Sequence, residues 1–143
     1  MGRVFYNTRK RTESLTGTYQ LLEGDSGTTF FSNQAAGYTV TLPSVSAGDA
    51  IDGWNCRIYI ATNVTSSNFT ITEGAGDTNI IIASTVEQDV SAGAAPAGIS
   101  TGCTNVILAS GADVIGDYFD ILCDGTKWYI QANVQADAAV TQS

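Results

Sequence analysis

The sequence predicts an all-β protein: an antiparallel β-sandwich or jelly-roll-like barrel of about nine strands, with an extended N-terminal arm. The strong helix formers Glu, Lys, Arg and Leu are scarce, whereas Val, Ile, Thr and Gly are frequent. Apolar stretches recur at intervals of roughly 8–15 residues between turn residues, and no window has the period of an amphipathic helix. A chain of 143 residues is long enough for one domain with a buried core.

Each predicted strand is a short apolar or alternating segment that ends at a turn signal. Tyr38, Val40 and Leu42 alternate with threonines before Pro43, which cannot donate a hydrogen bond to a sheet. Residues 80–83 are apolar on both faces, which is typical of a strand that is central in its sheet or sandwiched between layers. The nine strands are predicted at residues 19–22, 28–32, 38–42, 54–61, 69–72, 80–83, 106–109, 118–123 and 127–133.

The clearest element is the last hairpin, because Asp124-Gly125 between two apolar strands favours a tight turn. Alternation places Trp54 and Trp128 with aliphatic neighbours, so both are predicted to lie in the core. The predicted organisation is an arm at residues 1–17, a β-sandwich at residues 18–133 and a flexible tail at residues 134–143. Within the sandwich, the low-complexity residues 90–103 are predicted to form one long loop.

Positive charge is concentrated at the N-terminus. Four of the six basic residues lie within residues 1–11, and the remaining chain carries two basic residues against fourteen carboxylates, a net charge of 2 − 14 = −12. A basic arm on an acidic body is typical of a segment that reaches a partner, and aromatic and Arg side chains are common interface anchors. The predicted docking residues are Arg3, Val4, Phe5, Tyr6, Arg9, Lys10 and Arg11.

Three partners are compatible with this arm: an acidic protein surface, a second copy of the body, or a phosphate backbone. The acidic body would repel a nucleic acid, and no basic-aromatic stripe continues beyond the arm, so no nucleic-acid partner is expected. A solvated terminus without a partner is the simpler alternative.

The composition favours binding over catalysis, and we expect no enzyme activity, no cofactor and no metal. The chain has no histidine and no Gly-X-Ser-X-Gly motif. Two carboxylate pairs, Asp117 with Asp120 and Glu73 with Asp77, have the residue types of a glycosidase, but turn capping explains them more simply. The acidic turns at residues 23–27 and 73–79 do not have the spacing of a calcium loop.

The sequence contains no apolar run of membrane-spanning length and no secretory signal, so no membrane partner is expected. Cys56, Cys103 and Cys123 are odd in number and lack metal-like spacing. A reducing cytoplasm is the expected site of synthesis.

Several turn-and-strand patterns resemble small β-rich virion proteins of tailed bacteriophages, which include capsid decoration (cement) proteins and tail modules. The resemblance is carried by Gly116–Ile121, Asp124–Ile130, Tyr38–Pro43, Asn68–Glu73 and Asn79–Ile82 and extends over most of the chain.

The resemblance implies a structural virion protein on the outer surface of the capsid, assembled in the host cytoplasm. Its implied partner is the major capsid protein, and its implied assembly is a homotrimer that clamps neighbouring capsomers. The alternative is a tail-fibre or receptor-binding module that recognises host glycans. In that case Trp54, Tyr59, Trp128 and Tyr129 would be the stacking residues.

Overall fold

The computed structural model describes residues 11–88 and 102–143, which form eleven strands in two sheets around one core. A 3-10 turn at Glu23–Asp25 joins the second and third strands. The strands are β1 Thr12–Leu15, β2 Tyr19–Gln20, β3 Thr29–Ser32, β4 Thr39–Thr41, β5 Asn55–Ile60, β6 Phe69–Thr72, β7 Ile81–Glu87, β8 Asn105–Leu108, β9 Tyr118–Cys123, β10 Trp128–Val134 and β11 Val140–Gln142.

The chain alternates between the two sheets from β1 to β9. The six-stranded sheet has the order β1-β3-β5-β9-β10-β7, and the five-stranded sheet has the order β11-β8-β6-β4-β2. Each strand therefore returns to its own sheet in the same direction, and β1-β3-β5 and β2-β4-β6 are parallel. Strand β7 is also parallel to β10, whereas the remaining pairs are antiparallel. The predicted all-β sandwich is confirmed, with mixed strand directions in place of a purely antiparallel arrangement.

All nine predicted strands are present, and the two additional strands lie in segments predicted to be irregular. Strand β1 falls within the predicted arm, pairs with β3 and buries Leu15. Strand β11 falls within the predicted flexible tail, pairs with β8 and buries Val140. Residues 12–15, which the sequence placed in the arm, and residues 140–142, which it placed in the tail, therefore belong to the sheets.

Strand β7 lies at an edge of the six-stranded sheet rather than at its centre. Ile81 and Ala83 face the core, whereas Ile82 is half-buried on the opposite side. The apolar residues on both faces of this segment therefore reflect an outer face that is partly covered. They do not indicate a strand that has a neighbouring strand on each side.

Both tryptophans lie in the core, as predicted. Trp54 and Trp128 are fully buried, and their rings meet edge to face with centroids 5.2 Å apart. Large aromatic side chains contribute more burial than any other residue type, so this contact lies at the centre of the packing.

The hairpin between β9 and β10 is also confirmed. Asp124 Oδ1 accepts hydrogen bonds from the backbone N–H groups of Thr126, at 2.8 Å, and Lys127, at 2.7 Å. Gly125 has φ +83°, a conformation that side chains with a Cβ rarely adopt. The turn therefore needs both residues of the Asp-Gly pair.

Most of the predicted 90–103 loop lies outside the described residues. At its end, Cys103 forms an isolated antiparallel bridge with Ile81. Cys56, Cys103 and Cys123 are buried and do not form disulfides, and burial raises the pKa of the Cys56 thiol.

Candidate functional site: the arm exit and the outer face of the six-stranded sheet

Arg11 fixes the point at which the arm joins the body, here called the arm exit. Its carbonyl accepts a hydrogen bond from the Thr29 N–H at 2.9 Å, which starts the β1–β3 pairing. Its guanidinium donates to the Gly24 carbonyl at 3.0 Å, pairs with Glu13 and lies 3.8 Å from Asp25 Oδ1. The other predicted docking residues, Arg3, Val4, Phe5, Tyr6, Arg9 and Lys10, lie outside the described residues.

The 3-10 turn before β3 holds Asp25 in place. This carboxylate is 4% exposed and accepts a hydrogen bond from the Leu22 N–H at 2.9 Å. Arg11 therefore lies beside a buried carboxylate that the 3-10 turn holds in place.

The face of the six-stranded sheet that points away from the core, here called the outer face, carries three rows of side chains that cross the strands. The register aligns Arg57 of β5 with Asp120 of β9 in the central row. Arg57 Nε and Nη2 each donate to Asp120 at 2.6 Å, forming a two-pronged ion pair. The central row consists of Thr12, Thr29, Arg57, Asp120, Gln131 and Ser84.

A second row, the aromatic row, lies beside the central row. Phe31 stacks on Tyr59 with ring centroids 5.8 Å apart, and Tyr118 lies 5.5 Å from Tyr59. The Arg57 guanidinium lies 4.5 Å from the Tyr118 ring centroid and donates to the Tyr59 hydroxyl at 3.0 Å. Hydrogen bonds to Asp120, and then to Tyr59, raise the pKa of Arg57. This cation is therefore satisfied within the protein.

The third row, the end row, lies on the other side of the central row and consists of Asn55 followed by three apolar or aromatic side chains, Leu122, Tyr129 and Ile82. Leu122 is 48% exposed and Tyr129 is 43% exposed, and Ile82 is half-buried beside them. The Tyr129 hydroxyl donates to Asp124 Oδ2 at 3.0 Å, which orients its ring. These side chains and the central row line an open groove of about 800 Å³, a volume typical of ligand-binding clefts.

The aromatic platform considered in the sequence does not form as a set of four. Trp54 and Trp128 are in the core, and Tyr59 and Tyr129 lie in different rows. Sequence reasoning missed Phe31 and Leu122, although alternation with their buried neighbours indicates outward positions. Which exposed residues lie next to Phe31 and Leu122 depends on the strand order, and the local sequence pattern does not determine that order.

Each candidate catalytic carboxylate accepts hydrogen bonds from backbone N–H groups or forms an ion pair with an arginine. Asp117 accepts hydrogen bonds from the N–H groups of Val114, at 2.9 Å, and Gln135, at 3.0 Å, and burial raises its pKa. Asp120 is paired with Arg57.

The second pair of carboxylates has a similar role. Glu73 accepts hydrogen bonds from Asn79 and Ile80, both at 3.3 Å. Asp77 accepts hydrogen bonds from Val45, at 2.9 Å, and Ser46, at 2.8 Å. These hydrogen bonds account for the position of each carboxylate, and no catalytic role is needed to explain it.

Comparisons with known proteins add no family: no family model, curated protein or solved structure matches the chain. Across residues 11–88 and 102–143, no three His, Cys, Asp or Glu side chains are grouped as metal ligands. The same part of the chain contains no helix that is long and apolar enough to cross a membrane.

Proposed function

We propose that the chain is a structural virion protein of a tailed bacteriophage, a decoration protein that docks on the shell of the major capsid protein and stabilises the head. The observation that carries this proposal is the arm exit. Arg11 ties the start of the body to Glu13, Gly24 and Asp25, so the basic and aromatic residues upstream leave from a defined point on a rigid sandwich. Such an arrangement supports docking by an arm.

The electrostatics of the body support a protein partner. The arm is basic, whereas the remaining chain has a net charge of −12 and would be repelled by nucleic acid. A shell surface that offers carboxylates and apolar pockets suits Arg3, Arg9 and the Val4–Tyr6 anchors. Binding to the assembled shell stabilises it by mass action, without any chemistry.

Assembly as a homotrimer on the outer surface of the capsid is part of the same proposal, and it rests on the resemblance to phage cement proteins. The alternative, a tail module that binds glycans, is less well supported because two of its four stacking residues, Trp54 and Trp128, are in the core.

The test is cosedimentation with capsids of the phage that encodes the chain, at low and high salt. The full chain is compared with a variant that lacks residues 1–10, a deletion that retains Arg11 and its contacts with the body. We expect the full chain to bind at a fixed number of copies per capsid, more weakly at high salt, and the shortened chain not to bind.

A matched pair of variants distinguishes the effect of charge in the arm from the effect of the protein's net charge on capsid binding. Lys10→Gln removes a charge from the arm, and Lys127→Gln removes the same charge from the exposed β9–β10 turn. We expect only Lys10→Gln to weaken capsid binding. Full binding by the shortened chain would remove the arm from the proposal, and failure of the full chain to bind capsids would contradict the proposed function.

A further inference from the structure

We propose that the groove on the outer face is a docking site for residues 4–6 of the chain's own N-terminal arm. The inference goes beyond capsid binding and does not depend on it, because both the site and the occupant belong to one molecule. Three features support it: the end of the sheet at which the chain enters, the distances along the sheet, and the complementarity of the two surfaces.

The chain enters β1 at the end of the sheet where the end row lies. Strands β1, β3 and β5 are parallel, and Thr12 aligns with Thr29 and Arg57 of the central row. The end row is displaced from the central row toward the N-terminal end of β5 and of β10, because Asn55 aligns with Leu122 and Leu122 with Tyr129. Residues upstream of Arg11 therefore start beside the groove.

The distances match the spacing of the apolar triplet. Leu122 on β9 is three strand spacings from β1, and Tyr129 on β10 is four, which is about 14 Å and about 19 Å. Phe5 is six residues before Arg11 and reaches at most about 20 Å in an extended chain. The triplet centred on Phe5 therefore has the length needed to reach the end row.

The surfaces are complementary in polarity and charge. Leu122 and Tyr129 are among the most exposed large apolar side chains of the described residues, and Val4, Phe5 and Tyr6 can cover them. Asp52 lies against the β9–β10 turn that contains Asp124, because a Cβ on Gly125 would lie 3.5 Å from Asp52.

Carboxylates at this end of the body complement the positive charge of the arm in the proposed docked state. Glu23 and Asp25 are beside the arm exit. Asp52 and Asp124 are farther along the same end of the sheet, at the β9–β10 turn, where Lys127 is the cation. Arg9 can therefore lie over carboxylates while Phe5 covers the groove. Attachment to the same chain gives the arm a high effective concentration at its own groove, which favours it over the arm of a second copy.

On the capsid, the arm would exchange this site for one on the shell. Weakening the groove then frees the arm, so Leu122→Ser is expected to bind capsids more tightly than the unchanged protein. This consequence depends on the proposed function, whereas the test below does not.

The test is disulfide trapping in the full chain with oxidised glutathione as the oxidant. Phe5→Cys is combined with Leu122→Cys in one variant, and with Phe31→Cys in a matched control. Phe31 is 36% exposed on the same outer face and lies on β3, one strand from β1, so it is within the reach of Phe5, but it belongs to the aromatic row outside the groove. The native cysteines are buried, so they compete little.

We expect an intramolecular bond between positions 5 and 122, identified by peptide mapping, to form at least about tenfold faster than the bond to position 31, although position 31 is nearer to the start of β1. Equal rates in the two variants would overturn the proposal. A disulfide dimer whose yield rises with protein concentration would also overturn it, and would assign the groove to the arm of a second copy.

Tryptic cleavage after Arg9 and Lys10 gives a second readout in a protein with native cysteines. Leu122→Ser should speed this cleavage several-fold, whereas Ile107→Ser on the outer side of the five-stranded sheet should leave it unchanged. Unchanged cleavage in Leu122→Ser, with circular dichroism showing that the variant is folded, would contradict docking in the groove.

Discussion

The two core tryptophans differ in how their indole N–H groups are satisfied. Trp54 Nε1 donates to the Leu22 carbonyl at 3.1 Å, whereas Trp128 Nε1 is buried and has no hydrogen-bond partner among residues 11–88 and 102–143. A buried donor without a partner retains its desolvation cost, so the two side chains should respond differently to the same substitution.

We expect Trp54→Phe to lower the free energy of unfolding by about 1 kcal/mol more than Trp128→Phe. Both substitutions remove similar volume, but only the first removes a hydrogen bond, and the Leu22 carbonyl then keeps only the one from the Asp25 N–H at 3.0 Å. Urea denaturation followed by circular dichroism measures the difference. A larger loss in Trp128→Phe would mean that packing, not hydrogen bonding, separates the two sites.

Asp124 should make stability depend on pH at the β9–β10 turn. Hydrogen bonds from Thr126 and Lys127 hold the pKa of this carboxyl well below its usual range. A lowered pKa in the folded state means that its contribution is complete above the ordinary Asp pKa of about 3.9 and is lost as the pH falls below it. Asp124→Ala should therefore be less stable than the unchanged protein at neutral pH, with the difference shrinking below about pH 4.

Thermal denaturation of both proteins between pH 2 and 7 checks this expectation, with Asp49→Ala, an exposed carboxylate elsewhere, as the control. A constant difference between Asp124→Ala and the unchanged protein across this range would contradict it.

At the scale of elements, both added strands lie on sheet edges. Strand β1 completes one edge of the six-stranded sheet, and β11 completes one edge of the five-stranded sheet. Each strand covers the backbone of its neighbour and buries an apolar residue, Leu15 or Val140. Residues 12–15 and 140–142 are therefore part of the sandwich.

Removal of residues 138–143 should destabilise the protein by about 2–4 kcal/mol, because it deletes the buried Ala139 and Val140 and uncovers β8. Removal of residues 1–10 is the matched truncation and should cost less than about 1 kcal/mol. Urea denaturation of the two shortened chains measures both values. Similar losses in the two chains would show that β11 adds little to the edge it covers.

At the scale of the whole molecule, the alternation of strands between sheets makes the two sheets interdependent. Each sheet contains strands that the chain reaches only by crossing over from the other sheet, and one core lies between the two sheets. We therefore expect a single cooperative unfolding transition. Folding should be slow, on the scale of about milliseconds to seconds, because most strand pairs are distant in sequence.

Tryptophan fluorescence and far-ultraviolet circular dichroism should report the same denaturation midpoint. Both tryptophans belong to the six-stranded sheet or its border, whereas circular dichroism reports both sheets. Separate midpoints would show that one sheet persists without the other.

The sequence by itself determined the all-β class, the positions of nine strands, the Asp124-Gly125 turn and the burial of Trp54 and Trp128. These follow from alternation and turn chemistry, which act over a few neighbouring residues. The charge contrast between arm and body is also a property of composition alone.

Only the tertiary structure decided which strands are neighbours. It placed Phe31 beside Tyr59, paired Arg57 with Asp120 and brought Leu122 and Tyr129 to the groove end. Strand order depends on how the chain crosses between two layers, and those crossovers satisfy one shared core. Local patterns state which face a residue occupies, whereas its neighbours on that face are set by the packing of the whole chain.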